Sequence, residues 1–138
     1  MREIEFRAKN EYGKWFYGSL VNFDEKSGYV YILEPFTQAS TLPIYALIKE
    51  NLHLIDIDTI GQYTGLKDKN GVKIFEGDIM PIWENGEKYL YKVVYDGDCF
   101  MLSMLDSEQG SYPLSVKCKQ SEVIGNIYEN KELLCEQN

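Results

Sequence analysis

Apolar and charged residues alternate at the start of the chain. In residues 2–8, three apolar side chains alternate with charged ones, and a period of two over that length predicts a half-buried strand. Two further runs, at 14–23 and 29–33, are rich in aromatic and β-branched residues, which favour strands. Polar turns at 10–13 and 24–28 separate the runs, so the sequence predicts a three-stranded antiparallel meander.

The next stretch, residues 34–51, has no single interpretation. Two prolines interrupt it, and its apolar positions fit either a short helix or a strand, so helix, strand and loop all stay open there. Beyond it, residues 53–57 predict a strand. Asp58 is then expected to cap a single helical turn over residues 59–62.

The second half of the chain has a pattern of short strands joined by turns. Asn-Gly pairs at Asn70-Gly71 and Asn85-Gly86 supply the positive φ that hairpin turns require, and residues 96–98 predict a third turn. The predicted strands are 78–84, 88–95, 99–105, 116–118 and 122–128, with a loop at 107–113 and a short terminal helix at 130–136.

Three further positions predict irregularities. Gly18 interrupts an aromatic run and predicts a bulge. Pro81 lies inside a predicted strand, and because proline cannot donate to a ladder, that strand is expected at an edge or at a bulged position. Residues 76–78, Glu-Gly-Asp, predict a bend that redirects the chain into the next strand.

The predicted fold class is mainly β. The chain has 138 residues, of which 14% are aromatic and eleven are Tyr, and such a composition favours strands. We expect an antiparallel meander packed on an SH3-like small barrel or sandwich, with minor short helices. The sequence is interpreted as one β-rich domain, 1–138. It comprises N-terminal strands and a loop (1–57), a glycine-rich block with a barrel-like sheet (58–130) and a terminal tail (131–138).

Charge and cysteine content limit the classes of partner and compartment. The formal net charge is −8, from 14 basic and 22 acidic residues, which argues against direct binding of nucleic acid but permits an acidic mimic of it. Cys99, Cys118 and Cys135 form no C-x-x-C motif, so we expect free thiols in a reducing cytoplasm. No apolar run has the length of a membrane span. A cytoplasmic protein without membrane contact is therefore expected.

None of the tested motifs places an active site. The glycine spacing does not match a phosphate-binding loop. A calcium loop aligned on Gly71 would put Leu66 and Gly77 at ligand positions. The single histidine, His53, lies in an apolar run and is expected to be a packed or surface residue. Carboxylates spaced by two are interpreted as turn formers rather than metal ligands; these pairs are Asp56 with Asp58, Glu76 with Asp78, and Asp96 with Asp98. We predict no catalytic residues, no metal and no cofactor.

Three blocks, read together, resemble a known family. They are REIEFRA at 2–8, IGQYTGLKDKNGVKIFEGDIM at 60–80, and VIGNIYEN followed by ELL at 123–134. This combination is similar to the YopX-like family of small bacteriophage and prophage proteins, whose biochemical role is unassigned. The chain departs from the family pattern at Lys9-Asn10, where Trp-Asp is common, and at Asp58-Thr59, where Pro-Glu-Thr is frequent. The resemblance implies a β-rich fold and a phage or prophage origin, and supplies no catalytic residues.

Three functions fit the sequence. The favoured one is a non-enzymatic accessory protein that binds an unknown host or phage protein, with homo-oligomer formation as a further prediction. The alternatives are an acidic mimic that antagonises a host DNA-binding protein, and a hydrolase with a metal on Asp96 and Asp98. Turn chemistry leaves Gln62, Tyr63 and Thr64 unexplained. Trp83 is a candidate to line a binding groove, although the aromatic core is the favoured position for it. Together these four are the predicted binding residues.

Overall fold

The computed structural model describes residues 2–36, 41–106 and 110–135. Of these residues, 45% lie in strands and 17% in helices, which confirms the mainly β fold class; an SH3-like barrel stays a prediction. The chain divides into two compact units between Gln62 and Tyr63, and the predicted division into residues 1–57, 58–130 and 131–138 stays untested. Parts of the predicted loops and of the tail fall at 37–40, 107–109 and 136–138, outside the described residues.

The first unit is an antiparallel sheet with one helix. Its strands are β1 (Phe6–Lys9), β2 (Trp15–Val21), β3 (Val30–Leu33), β4 (Leu52–Ile55) and the start of β5 (Gly61–Lys67); its helix is α1 (Ile44–Asn51), and a 3-10 turn spans Ile57–Thr59. They pair in the order β4-β3-β2-β1-β5. The predicted meander is therefore confirmed, and its edge is extended by β4.

One face of the first sheet carries the core. The register pairs Ala8 with Phe16, and both side chains are buried together with Ile32 and Ile55. Gly18 pairs in regular register with the first strand, so the predicted bulge is wrong. A Cβ built at Gly18 would lie 2.1 Å from the carbonyl oxygen of Leu33, so glycine is required because β3 approaches closely.

The second unit is built on a five-stranded antiparallel sheet. Its elements are the end of β5, β6 (Lys73–Phe75), β7 (Asp78–Glu84), β8 (Glu87–Asp96), β9 (Cys99–Met104), β10 (Ser111–Pro113), α2 (Leu114–Lys117), β11 (Gly125–Asn126) and α3 (Lys131–Cys135). The sheet order is β10-β9-β8-β7-β11, and β6 pairs with β5. The core contains Ile74, Met80, Ile82, Tyr91, Val93, Leu102, Leu114 and Cys118.

The hairpin turns lie where the sequence predicts them. Gly71 has a φ of 81° and its N–H donates to the carbonyl of Asp68. Asn85 and Gly86 have φ values of 52° and 81°, so the two-residue turn between β7 and β8 has the positive φ at both positions that a type I′ turn needs. Gly97, with φ 71°, turns β8 into β9. The terminal helix predicted near 130–136 is also confirmed, as α3.

The strand predicted at 116–118 is wrong. Those residues lie in α2 and in a 3-10 turn that follows it, Cys118–Gln120. Leu114 and Cys118 are buried, whereas Val116 between them is 58% exposed. Residues four apart share one face of a helix, so the burial pattern follows helical and not strand periodicity.

The helical turn near Asp58 is real but begins earlier than predicted. The 3-10 turn spans Ile57–Thr59, and Asp56, not Asp58, caps it by accepting the N–H of Asp58 at 3.0 Å. The predicted extension over 59–62 is wrong because the chain has already entered β5. In the stretch at 34–51, for which the sequence leaves helix, strand and loop all open, residues 44–51 form α1, which begins after Pro43.

Pro81 lies in a strand with neighbours on both sides, at a point where one of those sides is unpaired. Its strand, β7, has neighbours on both sides, so β7 as a whole is not an edge strand. However, β11 pairs only with Asp78 and Ile79, and Pro81 pairs with Leu90 on the other side alone. The missing N–H of proline therefore falls where no ladder requires it. The carbonyl of Pro81 accepts the hydroxyl of Ser121.

A buried carboxylate joins the β5–β6 turn to the C-terminal part of the second unit. Asp68 is 2% exposed. Its Oδ1 accepts the N–H groups of Asn70 at 2.8 Å and Val72 at 2.9 Å, and its Oδ2 accepts that of Val123 at 2.9 Å. Burial alone would raise the pKa of Asp68, but these three hydrogen bonds and the charge of Lys119 together lower it.

Thr64 bridges an irregular point between β5 and β6. The register shifts between Tyr63 and Lys67, where Gly65 has a φ of 85°. The Thr64 hydroxyl donates to the carbonyl of Ile74 at 2.8 Å and accepts the N–H of Leu66 at 3.2 Å. The side chain thus replaces ladder bonds that the shift removes.

We predict that Asp68→Asn lowers the free energy of unfolding by about 2–3 kcal/mol. The amide retains one acceptor and turns an N–H₂ group toward a backbone donor, so a buried N–H loses its partner. Urea unfolding at pH 7 measures the change. Asp98→Asn, in an exposed turn, is the matched control and should change stability by less than about 0.5 kcal/mol. Equal effects of the two variants would contradict the structural role of Asp68.

The same carboxylate predicts a pH dependence. Because the pKa of Asp68 is lowered in the folded protein, its stabilising contribution is complete above the ordinary Asp pKa of about 4. It is lost as the pH falls through the lower folded value. The stability difference between the wild-type protein and Asp68→Asn should therefore shrink in acid. Urea titrations from pH 7 to pH 3 test this, and a difference that is independent of pH would contradict it.

We expect Thr64→Val to lower the free energy of unfolding by about 1–2 kcal/mol, since it preserves shape and removes both hydrogen bonds of a buried hydroxyl. Thr41→Val is the matched control because Thr41 is exposed. Thermal and urea unfolding measure both variants. Unchanged stability in Thr64→Val would show that the hydroxyl does not support the register shift.

Candidate functional site

The structure does not gather the predicted binding residues into one surface. Tyr63 and Thr64 are buried, at 3% and 7% exposure. The Tyr63 ring packs on Phe75 at 5.5 Å, with the ammonium of Lys73 5.0 Å from its centroid. Gln62 is half-buried, and Trp83 is 66% exposed on β7. Tyr63 and Thr64 thus lie inside the second unit, and the binding role of the four residues stays a prediction.

The carboxylate pairs occupy turns and caps. Asp96 and Asp98 flank Gly97 in the exposed β8–β9 turn, and Asp78 accepts the N–H of Phe75 at 2.8 Å. Within residues 2–36, 41–106 and 110–135, no group of three or more His, Cys, Asp or Glu side chains is arranged to hold a metal. Asp96 and Asp98 are thus placed as turn residues.

A second group of titratable side chains lies in the second unit. Tyr91 and Tyr112 both donate their hydroxyls to the carboxylate of Glu84. Burial and the negative charge of Glu84 raise the pKa of Tyr91, and the hydrogen bond to Glu84 raises that of Tyr112. Both phenols therefore stay protonated at neutral pH, and they act as hydrogen-bond donors rather than bases.

The first unit contains an open cleft of about 400 Å³. Two segments line it, the turn between β1 and β2 and the whole of strand β4. Its lining residues are Asn10, Glu11, Tyr12, Leu52, His53, Leu54, Ile55 and Asp56. A volume of this size falls within the range of binding sites in proteins. We refer to it as the β4 cleft.

The turn on one side of the β4 cleft is shaped by Asn10. Its side-chain oxygen accepts the N–H groups of Tyr12 at 3.0 Å and Lys14 at 2.9 Å, and Gly13 completes the turn with a φ of 84°. Asparagine favours such local hydrogen bonds. The turn presents Tyr12, 85% exposed, at the cleft.

Strand β4 is an edge strand of the first sheet, and among the described residues it pairs with β3 alone. The N–H of Glu34 donates to the carbonyl of Asn51 at 2.9 Å, and in an antiparallel ladder every second residue makes such bonds. His53 and Ile55 therefore face β3 with their backbone groups. The N–H and C=O of Leu54 and the C=O of Leu52 point to the opposite side, which is the free edge of the described sheet. The N–H of Leu52, the C-cap residue of α1, belongs to the last turn of that helix.

The C-terminal end of that free edge is held by hydrogen bonds to the end of β1. The N–H of Asp56 donates to the carbonyl of Lys9 at 2.7 Å, and the N–H of Lys9 donates to the hydroxyl of Thr59 at 2.8 Å. These bonds tie the chain after β4 to the end of β1. The free edge of β4 thus has a fixed C-terminal end, which we call its closed end, while α1 directly precedes its other end.

His53 supports β4 from the core face. Its ring stacks on Phe16 with centroids 3.8 Å apart, and its Nε2 lies 2.6 Å from a carboxylate oxygen of Glu34. This matches the sequence expectation of a packed histidine. One face of the ring contacts Phe16 and one of its nitrogens contacts Glu34, so we interpret His53 as a residue that holds β4 in place.

The lining of the β4 cleft combines apolar side chains with carboxylates. Its described residues include no Ser, Thr or Cys, and its one side-chain hydroxyl is the phenol of Tyr12. They offer apolar surface on Leu54, which is 49% exposed, and carboxylates on Glu11 and Asp56. Sequence reasoning placed a strand at 53–57 and a turn at 10–13, but no local signal brings the two together.

Comparison with solved structures shows a similar fold. A crystal structure of protein EF1440 from Enterococcus faecalis is 24% identical, with a TM-score of 0.54 over 97% of this chain and 99% of the other. No curated protein matches the chain. In the described part of the chain, no helix is long and apolar enough to cross a membrane. The family model described as YopX protein matches residues 5–135. The chain therefore belongs to the YopX family.

Proposed function

We propose that the protein is a non-enzymatic protein-binding module that takes up an extended segment of another protein along the free edge of β4. The observation that carries this proposal is the position of the Leu52 and Leu54 backbone groups at the β4 cleft. From the family resemblance we also propose a phage or prophage accessory role. The partner is then a host or phage protein.

Backbone pairing supplies the first part of the binding energy. An added strand would bond with the N–H of Leu54 and with the C=O groups of Leu52 and Leu54, and each such bond contributes about 0.5–1.5 kcal/mol net. An unpaired strand edge is a template for this kind of addition. Because β4 is short, Leu52–Ile55, pairing alone gives weak binding and the side chains must add to it.

Side chains beside the edge supply the second part. Leu54 is 49% exposed and Tyr12 is 85% exposed, and both line the β4 cleft. Burial of such apolar surface contributes about 25 cal/mol per Å². Tyrosine is enriched in protein interfaces because its apolar ring carries a polar hydroxyl. The bound segment would thus lie between β4 and the Asn10 turn.

We predict that Leu54→Pro weakens binding of an extended peptide about tenfold, because proline removes an N–H that points into the cleft while the ladder to β3 needs none there. Peptides selected from a displayed random library against the wild-type protein provide the probes. Fluorescence anisotropy measures their affinity. Leu54→Thr, which retains the N–H and favours strands, is the control and should lose far less.

The site of binding is tested by amide chemical shifts. On titration with a selected peptide, the largest shift changes should fall on Tyr12, Leu52 and Leu54. Circular dichroism and thermal unfolding of Leu54→Pro establish that it stays folded. Peptides that bind Leu54→Pro as tightly as the wild-type protein, or that shift residues of the second unit instead, would overturn the proposal.

A further inference from the structure

We infer that the β4 cleft selects an extended segment carrying a Lys or Arg side chain, positioned next to the closed end of the β4 edge. This inference rests on the proposed function and specifies the chemistry of the partner. It is carried by the charges around the cleft. An extended backbone alone would bind without regard to charge, so these charges decide which segments bind well.

The lining of the β4 cleft is acidic. Its eight described residues include the carboxylates of Glu11 and Asp56 and contain no Lys or Arg. A third carboxylate, on Glu34, lies 2.6 Å from the ring of His53, which is itself a lining residue. The neighbouring Lys14 places its ammonium 5.1 Å from the Phe16 ring. The cleft therefore attracts cations more strongly than neutral or anionic side chains.

One of these carboxylates is held in a fixed position. The backbone N–H of Asp56 bonds to the carbonyl of Lys9 at 2.7 Å, and its Oδ1 accepts the N–H of Asp58 at 3.0 Å. The Asp56 carboxylate is thereby placed at the closed end of the β4 edge. A preorganised charge needs little ordering when a ligand binds. A cationic side chain near that end of the added strand would meet it.

The same charges argue against a second copy of the chain as the occupant. If two copies paired their β4 edges about a two-fold axis, each would bring Glu11 and Asp56 to the shared interface. The shared interface would then contain four carboxylates from the two clefts and no Lys or Arg from their linings, and an interface of like net charge is unfavourable. The net charge of −8 adds to the repulsion. A different protein with a basic, extended segment can pair with the β4 edge and is attracted by the carboxylates of the cleft.

Three designed eight-residue peptides test the inference. Each alternates Val and Thr and differs only at two positions near one end, which carry Lys, Gln or Glu. We expect the Lys peptide to bind at least tenfold more tightly than the Glu peptide in 50 mM salt. The preference should fall several-fold at 500 mM salt, because exposed charge pairs are screened.

A charge-neutralised variant provides the second readout. In Glu11→Gln with Asp56→Asn, the Lys-over-Glu preference should fall below about threefold. The amide introduced by Asp56→Asn keeps an oxygen that can accept the N–H of Asp58, so the turn is preserved. The control is Glu25→Gln with Glu50→Gln, which changes the net charge equally at exposed positions of the first unit. It should retain most of the preference.

The outcomes separate the two proposals. Equal binding of all three peptides, lost in Leu54→Pro, overturns the charge inference and supports strand addition. Absence of binding by every peptide, or binding that Leu54→Pro does not weaken, overturns the proposed function and this inference with it. A Lys preference that falls equally in the cleft variant and in the control variant also overturns the inference, because it then reflects overall charge.

Discussion

The second unit depends on the carboxylate of Asp68. It accepts three backbone N–H groups, two from its own turn and one from Val123, 55 residues away in sequence. A hydrogen-bonded turn is a local feature, but the bond to Val123 also makes Asp68 part of a tertiary contact between distant segments. Because the carboxylate is buried, loss of the Val123 N–H would leave Oδ2 without this donor, at a cost in free energy. The turn and the C-terminal segment are therefore stable only together.

The family signature can be explained by the same contact. Beyond Val123, the N–H of Ile124 donates to the carbonyl of Ile79 at 3.0 Å and that of Ile127 to the carbonyl of Gly77 at 2.9 Å. Asn126 accepts two N–H groups in the turn that follows. The central and closing blocks of the signature thus bind each other within one unit. A motif can be specific to a family because two segments must fit, without any catalytic role.

Local chemistry could be predicted from the sequence, and long-range contacts could not. The turns at Asn70-Gly71 and Asn85-Gly86 follow from backbone preferences of adjacent residues. The helix at Leu114–Lys117 does not follow from the sequence, because Leu114, Val116 and Cys118 also fit a strand. Only their burial in the structure shows that Leu114 and Cys118, four residues apart, share the buried face. The β4 cleft depends on contacts such as Phe16 with His53, which join segments that are distant in sequence. Periodicity carries no information about such pairs.

One departure from the family pattern, Asn10, lines the β4 cleft, and the others, at Lys9 and Asp58-Thr59, lie close to lining residues in the sequence. Asn10 forms the turn that lines it, and an aspartate at this position, as is common in the family, can accept the same two N–H groups. Lys9, where the family commonly has tryptophan, supplies the carbonyl that closes the β4 edge and the N–H bonded to Thr59. The turn can thus be retained while the side chains around it change. Most of the central block and all of the closing block lie in the second unit, whereas REIEFRA leads into β1 of the first unit, directly before Lys9 and Asn10.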